Sequence, residues 1–187
     1  MARLPLIEPE DAQGEAKLAL EAVPVKLNIF KMMAHAETTI APQLRLGAAI
    51  LTQQKLGHLP RELLILLAAR MEGGEYEWRQ HVPIALGVGA TEAQIAAIEA
   101  LDLEVAAFSD SEKALLAFGR QSIETVRVEP AVFEAAQRHF SGQEIVEAIL
   151  AMGFYMTMAR LTEATETDLD EVAGMAAFEK AQEGVDL

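Results

Sequence analysis

The run Leu63-Leu64-Ile65-Leu66-Leu67-Ala68-Ala69 is apolar on every face a helix could present. It is far too short to cross a bilayer, which takes about 20 such residues. A helix of this kind needs neighbours on all sides. Its ends are marked. Pro60 suits a first helical turn, where its missing N–H had no partner to lose, and Gly73-Gly74 breaks the pattern after Glu72. A helix over 60–72 is therefore expected at the centre of a compact multi-helix bundle. The stretch EYEWRQHVPIALGV reads as a second helix over 75–88, folded back on the first about the Gly-Gly turn as a helical hairpin.

The rest of the chain supplies the covering helices. Three capping boxes are legible, Thr91 to Gln94, Ser109 to Glu112 and Ser141 to Glu144, in which a hydroxyl and a carboxylate or amide satisfy unpaired N–H groups reciprocally. They predict helices near 92–101, 110–126 and 142–166, and Pro130 opens another over 130–139. Upstream, helical patterns cover 15–22, 26–36 (Leu27, Phe30, Met33 and Ala34 on one stripe) and 42–55. Residues 1–14 read as extended. Nothing alternates like a strand, so the fold class is all-α, one domain over 1–187 with its core at about 20–165, an extended N-terminal segment and an acidic C-terminal tail. PRELLILLAARMEGG and GQEIVEAILAMGFYM place Glu62 and Glu144 at matching positions, which leaves an internal duplication open.

Composition excludes whole classes of function. The formal net charge is −14, which argues against a grip on nucleic acid or an anionic membrane. There is no cysteine, so thiolate catalysis, disulfides and cysteine-ligated metals are out. The N-terminus carries no signal or transit pattern, and a soluble, cytoplasmic protein is the expectation. A mean hydropathy of +0.17 is high for so acidic a chain, and with the surplus apolar faces of 44–51 and 145–158 it points to a homo-oligomer.

Chemistry concentrates in Glu75 to His81. Glu77 and His81 lie four residues apart, so they share a helix face. A carboxylate beside an imidazole fixes its tautomer and raises its basicity, the usual construction of a general acid/base. Trp78 and Val82 lie beside them, with Ala85 and Leu86, to exclude water. The same spacing also occurs on solvated faces, where it is worth a few tenths of a kcal/mol. Glu62, near a helix start, has a helix-dipole role available to it. Across an antiparallel hairpin Glu62 would lie ~6 Å from His81 along the axis. His35, His58 and His139 form no ligand spacing with His81, and no metal or other cofactor is expected. Met152, Phe154, Tyr155, Met156 and Met158 read as core packing. Arg45, Arg61, Arg70, Arg79 and Arg160 are the available anchors for an anionic substrate.

The segment LPRELLILLAARMEGGEYEWRQHVPIALGVGATEAQI resembles the signature of the carboxymuconolactone decarboxylase and alkylhydroperoxidase D-like family. LNIFKMMAHAE, FSDSEKALLAFGRQSI and HFSGQEIVEAILAMGFYMTMARL resemble its flanking helices. In the peroxidase branch a Glu, a Cys-x-x-Cys pair and a His form a thiol relay. Glu62 and His81 match the first and last, while Gly74 and Glu77 stand where the cysteines would be. The resemblance is thus to the decarboxylase-like branch. It implies a cofactor-independent lyase or isomerase acting on a small carboxylated ring compound, with His81, Glu77 and Glu62 catalytic and no thiol peroxidase activity. It also implies trimers or hexamers. A ring-opening hydrolase or a catalytically silent binding or structural subunit stays open beside it.

Overall fold

The computed structural model describes residues 1–183 and is helical throughout, with no strand among them. Ten helices follow in order: α1 (Gly14–Ala22), α2 (Asn28–Met33), α3 (Ile40–Thr52), α4 (His58–Glu72), α5 (Glu75–Gly87), α6 (Glu92–Glu99), α7 (Asp110–Thr125), α8 (Pro130–Gln137), α9 (Gly142–Thr165) and α10 (Gly174–Gln182).

The apolar run places α4 at the centre, against α5, α6, α7 and α9. Every residue from Arg61 to Ala69 is at most 1% exposed. Burying each Leu or Ile there contributes about 2 kcal/mol by area. The helix starts two residues ahead of the expected Pro60, which costs no hydrogen bond because the first four N–H groups have no intrahelical acceptor. Gly73 caps it in the left-handed region (φ 73°), which a residue without Cβ adopts freely. The chain then reverses directly into α5. The next residue, Gly74, lies so close to α9 that a Cβ on it would stand 2.7 Å from the Cβ of Ala159. Pro83 does not end α5, which runs on to Gly87.

All three capping boxes form with both reciprocal hydrogen bonds. α2 is shorter than the expected 26–36, because Leu27 stays extended as its N-cap and turns fill 34–39. α9 is long and apolar enough to span a membrane by composition, but 44% of its apolar window is buried inside the bundle, where it is the second core helix. The N-terminal segment is extended, as expected, and fastened to the end of α9. The Arg3 N–H donates to the Thr165 carbonyl (2.7 Å) and the Arg3 guanidinium pairs with Glu166 (2.6 Å).

The expected C-terminal tail is where the fold differs most. Residues 174–182 form α10, which packs on α5 and α3 with Phe178 buried. The Gln80 side chain holds its approach, accepting from the Ala173 N–H (3.0 Å) and donating to the Glu171 carbonyl (3.1 Å). Gly174 touches the α5 backbone so closely that a Cβ would fall 1.8 Å from the Gln80 carbonyl oxygen. Few of its residues are strongly apolar, so α10 shows weakly in the sequence. The rest of the acidic tail, 184–187, lies outside the described residues.

Candidate functional site

Between the α4–α5 hairpin, α9, α10 and the α1–α3 segment lies a cavity of about 150 Å³. Apolar cavities of this size hold one small aromatic ring. Its walls are almost wholly apolar (Leu44, Ile84, Phe154, Met158 and Phe178 among them), and its polar wall includes Tyr76, Glu77, Gln80, His81 and Tyr155. Phe154, Tyr155 and Met158, expected as core filler, are cavity wall. Trp78 and Val82, expected to shield the site, pack instead with Leu63, Leu66 and Ala85 in another part of the core.

The structure re-partners His81. Its Nδ1 lies 2.8 Å from Glu62 Oε2, across the hairpin, and it has no hydrogen bond to Glu77. The contact spans the ~6 Å axial offset that ideal antiparallel helices would leave. An Nδ1–H donated to Glu62 leaves Nε2 as the free ring nitrogen. That atom has no protein partner among the described residues, yet it is not sealed off. Both atoms of the pair are well buried, with side-chain exposures of 9% and 0%.

Glu62 is not a helix-dipole residue here. Its other oxygen, Oε1, accepts from Arg61 Nε (3.1 Å) and Nη2 (2.9 Å). Arg61 is itself spent: Nη1 donates to the Leu51 carbonyl (2.7 Å) and to His58 Nδ1 (2.8 Å), and Phe178 lies across the guanidinium. Burial and the nearby guanidinium push the His58 pKa down, so its ring stays neutral and accepts the Arg61 proton. The result is one connected chain, His58–Arg61–Glu62–His81, running from an exposed imidazole to a buried ion pair, in which Arg61 balances the Glu62 charge. Such a balance is what lets a carboxylate sit fully out of water. His58 precedes Arg61 by three residues on the same helix face, a spacing visible in the sequence but uninformative until Arg61 is known to be inside.

Glu77 has a different environment. It is 2% exposed and has no cation partner. Thr162 Oγ1 lies 3.3 and 3.1 Å from its two oxygens, but that hydroxyl carries one proton and also faces the Met158 and Ala159 carbonyls. Burial therefore dominates, outweighing the hydrogen bonds and the attraction of His81, and raises the Glu77 pKa from 4.5 to about 7. The three sequence-predicted residues converge on one region in two roles: a charge-balanced Glu62–His81 pair, and a Glu77 carboxyl that titrates near neutrality. None of the five candidate arginines lines the cavity, four being exposed and Arg61 committed to Glu62. Among the described residues no three His, Asp or Glu side chains are grouped to hold a metal ion.

Residues 41–121, from α3 into α7, match the sequence profile of the carboxymuconolactone decarboxylase family. No curated protein sequence matches the chain. Solved structures share the fold at low identity. An alkylhydroperoxidase AhpD core, an uncharacterized peroxidase-related protein from Ralstonia eutropha, aligns with TM-score 0.78 at 15% identity over 97% of this chain and 96% of its own. A putative antioxidant defence protein AhpD from Agrobacterium tumefaciens aligns with TM-score 0.68 at 20% identity over 74% and 95%. The debrominase Bmp8 in complex with 2,3,4-tribromopyrrole aligns with TM-score 0.72 at 14% identity over 94% and 95%.

Proposed function

We propose that the protein is a cofactor-independent proton-transfer enzyme, a lyase or isomerase, acting on a small cyclic compound in the α4–α5–α9–α10 cavity. The observation that supports this reading is the His81 Nδ1–Glu62 Oε2 pair, which leaves Nε2 free on a residue that lines an apolar cavity of one-ring size. In this scheme Nε2 takes a proton from an acidic C–H of the substrate. The Glu62 carboxylate steadies the imidazolium that results, and Arg61 keeps Glu62 in place. Returning the proton to a different carbon completes an isomerisation. If a carboxyl group leaves as CO2 instead, the C–C electron pair it leaves behind takes its proton from the protonated Glu77 carboxyl. Glu77, with a pKa about 7, is the second proton carrier within the same walls. An apolar cavity favours both steps, because it slows proton exchange with solvent and solvates a leaving carboxylate poorly.

The family profile supports enzymatic chemistry of this general kind, and the bromopyrrole held by a debrominase of the same fold is likewise a single small ring. Thiol chemistry does not carry over. The chain has no cysteine, and Gly74 has no room for a side chain. A panel of carboxylated muconolactones and neutral unsaturated lactones in D2O tests the reading, with NMR following C–H exchange and CO2 release. Turnover should fall about 10²–10⁴-fold in His81→Gln. Equal rates in wild type and His81→Gln would refute the assignment.

A further inference from the structure

We propose that the Tyr155 hydroxyl is a ligand contact, donating a hydrogen bond to the carbonyl oxygen of an uncharged ring compound held beside His81. This rests on the cavity being the active site. Tyr155 lies on α9, buried to 6% exposure, with its ring edge-on to His81 at 4.5 Å between centroids and against Phe154 at 5.3 Å. Its hydroxyl makes no hydrogen bond among the described residues. Nor is it sealed in, since Gln54 Oε1 is the one sealed side-chain polar atom without a partner there. Tyr155 lines the cavity, so an open, unpartnered hydroxyl on it is placed to meet a ligand there. Buried polar groups almost always have partners, and the chain's other tyrosine obeys that rule: Tyr76 donates to Asp170 and accepts from the Ile29 N–H. The fold has satisfied one phenol and left the other for something that enters.

Charge decides what enters. Burial, with the Glu62 carboxylate nearby, pushes the Tyr155 pKa up, so the group is a donor at every physiological pH. No lysine or arginine lines the cavity, and Glu62 and Glu77 lie close to the phenol. Arg61 is already spent on Glu62, so no free cation is left to hold an anionic ligand beside the buried Glu77, and a neutral carbonyl fits. Gln80 does not compete for that oxygen, because its amide is committed to Ala173 and Glu171. The chemistry then balances. A C–H bond beside the carbonyl breaks and its proton goes to His81 Nε2. The C–H electrons form a C=C bond, and the carbonyl π electrons collect on oxygen, where the Tyr155 O–H stabilises them. A preorganised donor aimed at developing charge is among the larger contributions a site can make.

The test uses 2-cyclohexen-1-one as probe, cyclohexene as a carbonyl-free control and cyclohexene-1-carboxylate as the anion, with wild type and Tyr155→Phe. The ketone's carbonyl stretch should move to lower frequency on binding the wild type, and that displacement should vanish in Tyr155→Phe. Affinity for the ketone should drop about 2- to 10-fold, the range for one neutral hydrogen bond. Cyclohexene should bind both proteins equally, which also shows that the variant keeps its cavity. Unchanged ketone affinity and frequency in Tyr155→Phe would overturn the Tyr155 assignment while leaving the cavity reading intact. Tighter binding of the carboxylate than of the ketone would overturn the neutral-ligand class. Failure of ketone and cyclohexene alike would overturn the cavity reading, and the proposal with it.

Discussion

Replacing Glu77 with Gln should make the protein more stable above neutral pH while impairing its chemistry. The carboxyl is buried with no cation partner, and its pKa rises from 4.5 to about 7 on folding. The sign follows from linkage. Below pH 4.5 the group is protonated both folded and unfolded, and no penalty exists. Above about pH 7 the folded chain must hold a buried carboxylate that the unfolded chain would expose to water. Stability is therefore lost as pH rises between those values. At ~1.4 kcal/mol per pH unit, the gap from 4.5 to about 7 amounts to about 3 kcal/mol by pH 8. Gln keeps the shape and removes the charge, although fitting its amide beside Thr162 offsets about 1 kcal/mol at every pH.

The diagnostic is thus the slope and not the absolute difference. Urea unfolding of wild type and Glu77→Gln at half-unit steps from pH 4.5 to 8.5 should show their free energies diverging, with Gln gaining as pH rises. Other carboxylates titrate alike in both proteins and cancel in the difference. A difference constant across this range, or a Gln variant that loses ground toward pH 8, would show that Glu77 is not the unbalanced buried acid described here. Stability gained with activity lost is the expected mark of a group retained for function.

For the relay, Glu62→Gln and His81→Gln should be strongly non-additive in turnover, the double variant falling little below His81→Gln, as for residues acting as one unit; additive losses would separate them. Gly174→Ala drives a Cβ to 1.8 Å from the Gln80 carbonyl oxygen, so it should release α10 and make the chain cleavable near 174–182 under limited proteolysis, and wild-type resistance in that variant would refute the docking. Restoring cysteines by Gly74→Cys with Glu77→Cys should not confer peroxide turnover, because a Cβ at 74 meets Ala159 at 2.7 Å; a peroxide-reducing variant would refute that. A homo-oligomer is expected, with exposed Val146 and Leu150 of α9 at a contact between copies; a monomeric wild type in sedimentation at micromolar concentration, or an unchanged assembly in Leu150→Glu, would argue against it.

How much of this the sequence announces depends on how local each cause is. The buried α4 run, the three capping boxes and the Gly73-Gly74 reversal all lie within a few residues of what they determine, and each forms where expected. α10 shows only weakly in the sequence because its place comes from one close backbone approach at Gly174 and one amide from Gln80, which are contacts and not patterns. The site shows the same division. That Glu62, Glu77 and His81 share a neighbourhood follows from helix period and hairpin topology. Which carboxylate holds the imidazole does not, because the four-residue spacing favours Glu77 while the actual crossing brings Glu62 to 2.8 Å. Nor does spacing tell two buried glutamates apart. Glu62 has its two oxygens divided between the Arg61 guanidinium and His81 Nδ1, an arrangement that positions the ring. Glu77 has only its own backbone N–H and a shared Thr162 hydroxyl and no cation, so burial leaves its charge unsettled near pH 7. The difference between a positioning group and a titrating one is therefore whether a cation reaches it. That depends on Arg61 turning inward at the start of α4, which only the packing of His58, Leu51 and Phe178 around its guanidinium brings about.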